Sequence, residues 1–328
     1  MAEARDIIVI GASAGGIDAL TRLVARLPDE LEAAVFVVVH IPAEESMLPA
    51  ILGRETALIV KAAEDGEPIL CNRIYVAPPD CHLLIEPGRI RLSGGPKESG
   101  HRPAIDPLFR SAARAYRERV LGVILSGTLD DGSVGLRMIR RHGGSAIVQD
   151  PREALFRQMP ENAIATANPQ HVGPVTDLAD LITTHTRRPA EGGEHRELMV
   201  EDVNPNGGPQ PIGAADVPGT PTGIACPECH GVMWTAADDE SPEYHCRVGH
   251  AYSAEALLAA HAESVEAALW AGMRALQEQA SLTKHMAIRA ERRGDRLSAQ
   301  RLHRRGDAAD EHAGRIEAML LKRSSEAS

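Results

Sequence analysis

The sequence predicts an α/β protein: a doubly wound, mostly parallel sheet with an antiparallel hairpin margin, followed by a small Cys/His segment and an α-helical hairpin. Three observations carry this. From Asp6 to Thr186, short apolar runs alternate with helix-length segments, the pattern of strands joined by crossover helices. At 188–222 the pattern stops in a stretch rich in Pro and Gly, the composition of a linker. Beyond it lie close Cys/His pairs and then apolar residues at helical spacing. The expected domains are therefore 1–187, a linker over 188–222, and 223–328.

Taken in order, Ile7 to Ile10 is an apolar run of strand length, and GASAGG turns the chain into a helix that ends near Ala25. Ala33 to Val39 is almost wholly apolar, as suits a parallel strand covered on both faces. A helix around Met47 to Gly53 leads to a strand at Leu58 to Val60. Arg73 to Val76 is a further strand, and His82 to Glu86 and Arg89 to Leu92 flank Pro87-Gly88, a turn signal. These form the expected hairpin margin. A helix over about Leu108 to Arg119 precedes the buried strand Val120 to Leu125. A helix to Arg141, a strand at Ser145 to Val148, an edge strand at His171 to Val175 and a helix to Thr186 complete the domain. Leu257, His261, Val265, Leu269, Met273, Leu276 and Ala280 recur at helical spacing, and a second helix spans about Ser298 to Lys322.

Composition narrows the function. The 328 residues carry 35 basic and 46 acidic side chains, a net charge of −11. A general nucleic-acid binder would show a basic excess, so no nucleic-acid partner is expected. The N-terminus lacks the apolar core of a secretion signal, and no run is long enough to span a bilayer. The expectation is a cytoplasmic protein without membrane insertion. Five cysteines, three of them clustered late in the chain, argue for a metal site rather than a disulfide framework.

Ligands of open α/β sheets sit beyond the carboxyl ends of the strands. Ser13 follows the first strand within G-x-S-x-G, which lifts a serine hydroxyl out of a sheet. A glycine where Ser13 stands would be needed for a dinucleotide loop, so that reading fails. His40 ends the second strand, and Asp130-Asp131 follow Val120 to Leu125. Together they supply a nucleophile, a general base and an acid to orient the base. Either aspartate could be that acid, the other capping a helix. The order Ser, His, Asp differs from the Ser, Asp, His order of α/β-hydrolases.

Residues 6–185 resemble the catalytic domain of the CheB-type protein-glutamate methylesterases of bacterial chemotaxis. The motifs are IGASAGG around Ser13, VVVHIP around His40, RIYVAPPDCHLL at 73–84, HRPAIDPLFRSAA at 101–113, VILSGTLDDGSVGL at 123–136 and QDPREALFRQMPENAI at 149–164. The resemblance implies Ser13 as nucleophile, His40 as base and Asp131, which directly precedes the glycine, as acid. It implies hydrolysis of glutamyl methyl esters on the signalling helices of methylated chemoreceptors, with glutamine deamidation a second activity, and no catalytic cofactor. The backbone N–H groups of Ala14 and Thr128 are the expected oxyanion donors, and Arg102 and Met159 the expected cleft residues. Family members in standard chemotaxis systems carry an N-terminal phosphoacceptor domain; with the first strand starting at Asp6, none is expected here. Hydrolysis of another protein's carboxyl ester, and a non-catalytic regulatory module, are the competing expectations.

Cys226-Pro-Glu-Cys229 and Cys246-Arg-Val-Gly-His250 are two close pairs on a longer spacer, the spacing of a structural Zn²⁺ site. This predicts a zinc-ribbon-like segment with Trp234 and Tyr244 packed beside the metal; His230 or His245 could replace His250 as fourth ligand. The stretch 224–290 resembles the C-terminal extension of some stand-alone CheB-like proteins. Cys71 and Cys81 are expected in core packing, and the apolar helical stripe could serve a homo-oligomer or receptor docking.

Overall fold

The computed structural model describes residues 5–40, 46–187, 219–235 and 242–326. Seven strands form one wholly parallel sheet in the order β3-β4-β2-β1-β7-β8-β9. They are β1 (Ile7–Ala12), β2 (Ala34–Val39), β3 (Ile59–Ala62), β4 (Arg73–Val76), β7 (Val120–Ile124), β8 (Ser145–Gln149) and β9 (His171–Gly173). Strands β1, β2, β7 and β8 are buried throughout, as their continuous apolar runs require when both faces are covered. Helices α1 (Gly16–Val24), α2 (Leu48–Leu52) and α6 (Val175–Arg187) pack on one face through Leu20, Leu23, Leu52 and Ile182. Helices α3 (Ile105–Tyr116), α4 (Ser133–Arg141) and α5 (Gln158–Ala167) cover the other through Phe109, Leu136 and Met159.

The expected hairpin margin is corrected. Strands β5 (His82–Glu86) and β6 (Arg89–Ser93) form their own two-stranded sheet, not an edge of the main one. Their apolar side chains Leu83, Ile85 and Ile90 join the core of the α3 face instead, and Ile85 N–H donates to Ser111 Oγ of α3 at 3.0 Å. Neither Cys71, which is exposed, nor Cys81, which is half-buried, is a core residue.

The linker expectation over 188–218 lies outside the described residues. Its last residues do not belong to a linker: Thr220–Ala225 is strand β10, in an antiparallel sheet with β11 (Val232–Thr235), β12 (Glu243–Cys246) and β13 (Ala251–Ser253). The described residues through Leu257 form one compact unit, and those from Leu258 onward form a second. The Cys/His segment thus groups with the parallel-sheet domain rather than with the helices. The second unit holds most of α7 (Ala254–Arg292) and all of α8 (Arg296–Glu326). Gly294, at φ 78°, turns the chain between them. Lys284 pairs with Asp310, and Glu291 with His303 at 3.0 Å, so the two helices run antiparallel. Among the described residues, no helix is long and apolar enough to cross a membrane.

Candidate active site and Cys/His cluster

Strand order decides which loops meet. β2, β1 and β7 are neighbours, so the residues after them share one rim. Backbone bonds stitch that rim together. His40 N–H donates to Ala12 O at 3.2 Å, and Ser13 N–H donates to Ser126 O at 3.0 Å. Gly15, at φ 69°, makes the turn after Ser13, a conformation that favours glycine. Gly127 must also lack a side chain: a Cβ there would lie 2.6 Å from Met159 Sδ and 3.0 Å from Ser13 Cβ.

His40 Nε2 lies 2.8 Å from Asp131 Oδ2. A carboxylate only accepts, so Nε2 carries a proton, and in the neutral ring that leaves the lone pair on Nδ1. Asp131 is 2% exposed. Its Oδ2 also accepts from Ile105 N–H at 2.7 Å, and its Oδ1 from Asp106 N–H at 3.1 Å. These are the first amides of α3, whose N-cap, Ala104, has no side-chain hydrogen bond to offer. Asp131 therefore serves as the missing cap. This is why α3 begins at Ile105, three residues before the expected start at Leu108. Burial alone would raise the Asp131 carboxyl, but the bonds from His40 and the two amides outweigh it and hold it below its ordinary value.

Asp106 returns the service. Its Oδ1 accepts from Gly135 N–H at 2.6 Å, in the first turn of α4, where the N-cap Gly132 has no side chain. Burial, with the Asp131 charge adding to it, pushes the Asp106 carboxyl well above its ordinary value. Above the unfolded value near 3.8, the folded chain therefore keeps a proton that the unfolded chain releases. Stability falls as pH rises from there until the folded pKa is passed. Asp106→Asn keeps an acceptor and removes the titration. Its melting temperature relative to the parent is expected to climb between pH 4 and 7, by about 2–4 °C for each kcal/mol involved. Thermal melts across that range check this.

Two residues missed in the sequence complete the rim. His101 stacks on His40, with ring centroids 3.8 Å apart and planes 15° from parallel. Burial first, and the neighbouring His40 second, lower its pKa to about 4, so it is a neutral ring against the His40 face. Ser126, 1% exposed, ties three loops together: its Oγ donates to Ala14 O at 2.9 Å and accepts from Phe156 N–H at 2.9 Å. Neither residue follows a hydrophobic period or a spacing rule, so only the HRP and LSG motifs carried any signal for them.

The remaining expected site residues divide. Among the described residues, neither Ser13 Oγ nor the N–H of Ala14 or Thr128 has a hydrogen-bond partner. Three polar groups at the rim are thus open to a ligand. Arg102 is spent elsewhere, on Asp80 at 2.5 Å and on the carbonyls of Gly94 and Gly95 at 3.1 and 2.7 Å. It braces loops, and its neighbour His101 reaches His40. Met159 is fully buried and packs behind Gly127, so it does not line a cleft. Asp130 accepts from Ser253 Oγ at 2.7 Å, while the His40 partner is Asp131.

The second cluster gathers Cys226, Cys229, Cys246 and His250, whose ligand atoms all lie within 4.8 Å of one another. Cys229 Sγ is 3.6 Å from Cys246 Sγ, and His250 Nδ1 is 3.6 and 3.5 Å from the sulfurs of Cys226 and Cys246. A disulfide would need about 2.05 Å. A tetrahedron with bonds of about 2.3 Å has edges of about 3.8 Å, close to the spacing found. The donor set fits a metal, and His250 is the histidine brought to it. His245 instead pairs with Glu243 at 3.3 Å, and His230 occupies the turn at φ 58°. Tyr252, not Tyr244, is the tyrosine buried here.

These features define a class: an open parallel α/β protein with an acid-oriented histidine and an unbonded serine hydroxyl at the carboxyl rim of adjacent strands. Residues 8–182 match the family model described as CheB methylesterase, and the chain belongs to that family. A Leptospira interrogans relative is 38% identical over 178 residues, 54% of this chain and 92% of its own length. The protein-glutamate methylesterase/protein-glutamine glutaminase of Symbiobacterium thermophilum is 37% identical over 181 residues, 55% of this chain and 50% of its own. The Thermotoga maritima CheB methylesterase catalytic domain superposes with a TM-score of 0.53 at 30% identity, over 56% of this chain and 99% of that structure.

Proposed function

We propose that this chain hydrolyses glutamyl methyl esters on chemoreceptor-like proteins, and deamidates glutamine at equivalent positions, through Ser13, His40 and Asp131. The observation that carries this is the 2.8 Å contact of His40 with Asp131, which turns the Nδ1 side of the ring over to a substrate proton at the same rim as Ser13. Ser13 Oγ attacks the side-chain carbonyl as its proton passes to His40 Nδ1. The N–H groups of Ala14 and Thr128 receive the oxyanion. His40 then gives that proton to the departing group, methoxide leaving as methanol or the amide nitrogen as ammonia, and an acyl-serine remains. A water activated by His40 cleaves it, giving glutamate and restoring Ser13. Exposed Leu155 and Phe156, on the loop beside Gly15, suit a protein substrate better than a small polar one.

The test is methanol release from methylated receptor membranes. Release that needs both the chain and a methylated receptor supports the reading. Hydrolysis of other protein esters without release from receptors would replace the substrate and keep the chemistry.

The Cys/His segment, in the same reading, is a zinc-ribbon-like module with a structural Zn²⁺. Metal analysis of the purified full chain is expected to give about one zinc per chain, and Cys246→Ser to lose it.

A further inference from the structure

We propose that the metal-bound Cys/His segment is the latch of the hydrolytic site, fixing from outside the two loops that converge on His40. The inference rests on the reading of that site given above.

The first loop is 95–102. Glu98 and His101 exchange backbone bonds at 3.1 and 2.9 Å, closing a two-residue turn through Ser99 at φ 50° and Gly100 at φ 77°. Ser99 N–H donates to Ala251 O at 2.7 Å, and Ala251 N–H to Lys97 O at 3.4 Å. β13 thus meets this turn through one isolated parallel bridge, between Ala251 and Glu98. Lys97 Nζ also reaches Glu228 at 3.1 Å. The turn so held is the one that lays His101 on the His40 ring.

The second loop is 128–131. Ser253 Oγ donates to Asp130, the residue before the acid that holds His40. Asn162 Nδ2 bridges Leu129 O at 3.0 Å and Glu255 Oε2 at 2.8 Å. The Thr128 amide lies on the same loop.

The latch residues are interleaved with the ligands. Glu228 stands between Cys226 and Cys229, and Ala251 to Ser253 directly follow His250. Between Thr220 and Ser253, the described buried residues are few: Cys226, Met233, Cys246 and Tyr252. A segment this small lacks a core of its own and depends on a staple. Metal binding is then its folding energy. Removing the ion melts β13 and the ligand knuckles, and with them the contacts to both loops.

The experiment uses the full chain, loaded with Zn²⁺ and then stripped by chelator. It reads hydrolysis of p-nitrophenyl acetate and amide hydrogen exchange by peptide. On stripping, exchange in 97–104 and 128–131 should accelerate together with 243–253, while 7–12 and 120–124 stay protected. The esterase rate should fall about 10-fold or more, since small misplacements of catalytic groups are costly. Restoring Zn²⁺ should reverse both. In the zinc-loaded double variant Ser253→Ala, Asn162→Ala, exchange should rise at 128–131 with zinc content unchanged. Unchanged exchange at 97–104 and 128–131 in stripped protein overturns the latch. So does loss of protection at 7–12, which would make the metal a support of the whole fold. Exchange in Ser13→Ala reports on the latch without hydrolysis. A failure of the hydrolase reading thus appears as no esterase rate with or without zinc, while the exchange response persists.

Discussion

Ser13→Ala should abolish methanol release, by about 10⁴-fold or more, as removal of the attacking atom does in serine hydrolases. Its fold should be untouched. Ser13 Oγ has no hydrogen-bond partner among the described residues, so its loss leaves no buried group unsatisfied. The Ser13 backbone keeps its bond to Ser126 O. The melting temperature should therefore stay within about 2 °C of the parent, the range of changes that break no contact. Release that survives Ser13→Ala would remove the nucleophile from the mechanism, whatever the rest of the site does.

Asp131→Asn should be nearly as damaging to rate, about 10⁴-fold, because an amide in place of the carboxylate favours the wrong imidazole tautomer. Unlike Ser13→Ala it should also destabilise the protein. Asp131 accepts from His40, Ile105 N–H and Asp106 N–H. An asparagine has one oxygen for these donors and turns an NH₂ group against another, which leaves a buried amide at the α3 terminus unpaired. Asp130→Asn keeps an oxygen for Ser253 and should cost less than about 10-fold in rate, within the effect of a positioning residue. Its carboxyl is raised by burial to about 6, so near neutral pH the exchange removes a partly protonated group. Rates and melts of the two variants, measured side by side, check this. A larger rate loss at Asp130 would reverse the assignment of the acid.

Apolar runs made the parallel sheet legible, because a strand buried on both faces writes its length into composition. The 7–10 and 33–39 runs fall on β1 and β2 almost residue for residue. The hairpin was readable as two strands around Pro87-Gly88 but not as a separate sheet. Its placement depends on which face of α3 it covers, a tertiary fact without a local signature. The start of α3 was hidden for a similar reason: its cap, Asp131, is more than twenty residues downstream. Ser13, His40 and Asp131 stood out because each follows an apolar run, whereas His101 sits in a polar loop without periodicity. The Cys/His pairs were legible by spacing, but not the contacts of Ala251 and Ser253 with distant loops, which no spacing rule encodes.

The serine, histidine and aspartate hang from β1, β2 and β7, the innermost strands of the ladder. The outermost, β3 and β9, are short and partly open to solvent. On gentle heating such margins fray first, and the middle lets go last. The strand ends that carry these three side chains are therefore rooted in the part of the sheet that survives longest.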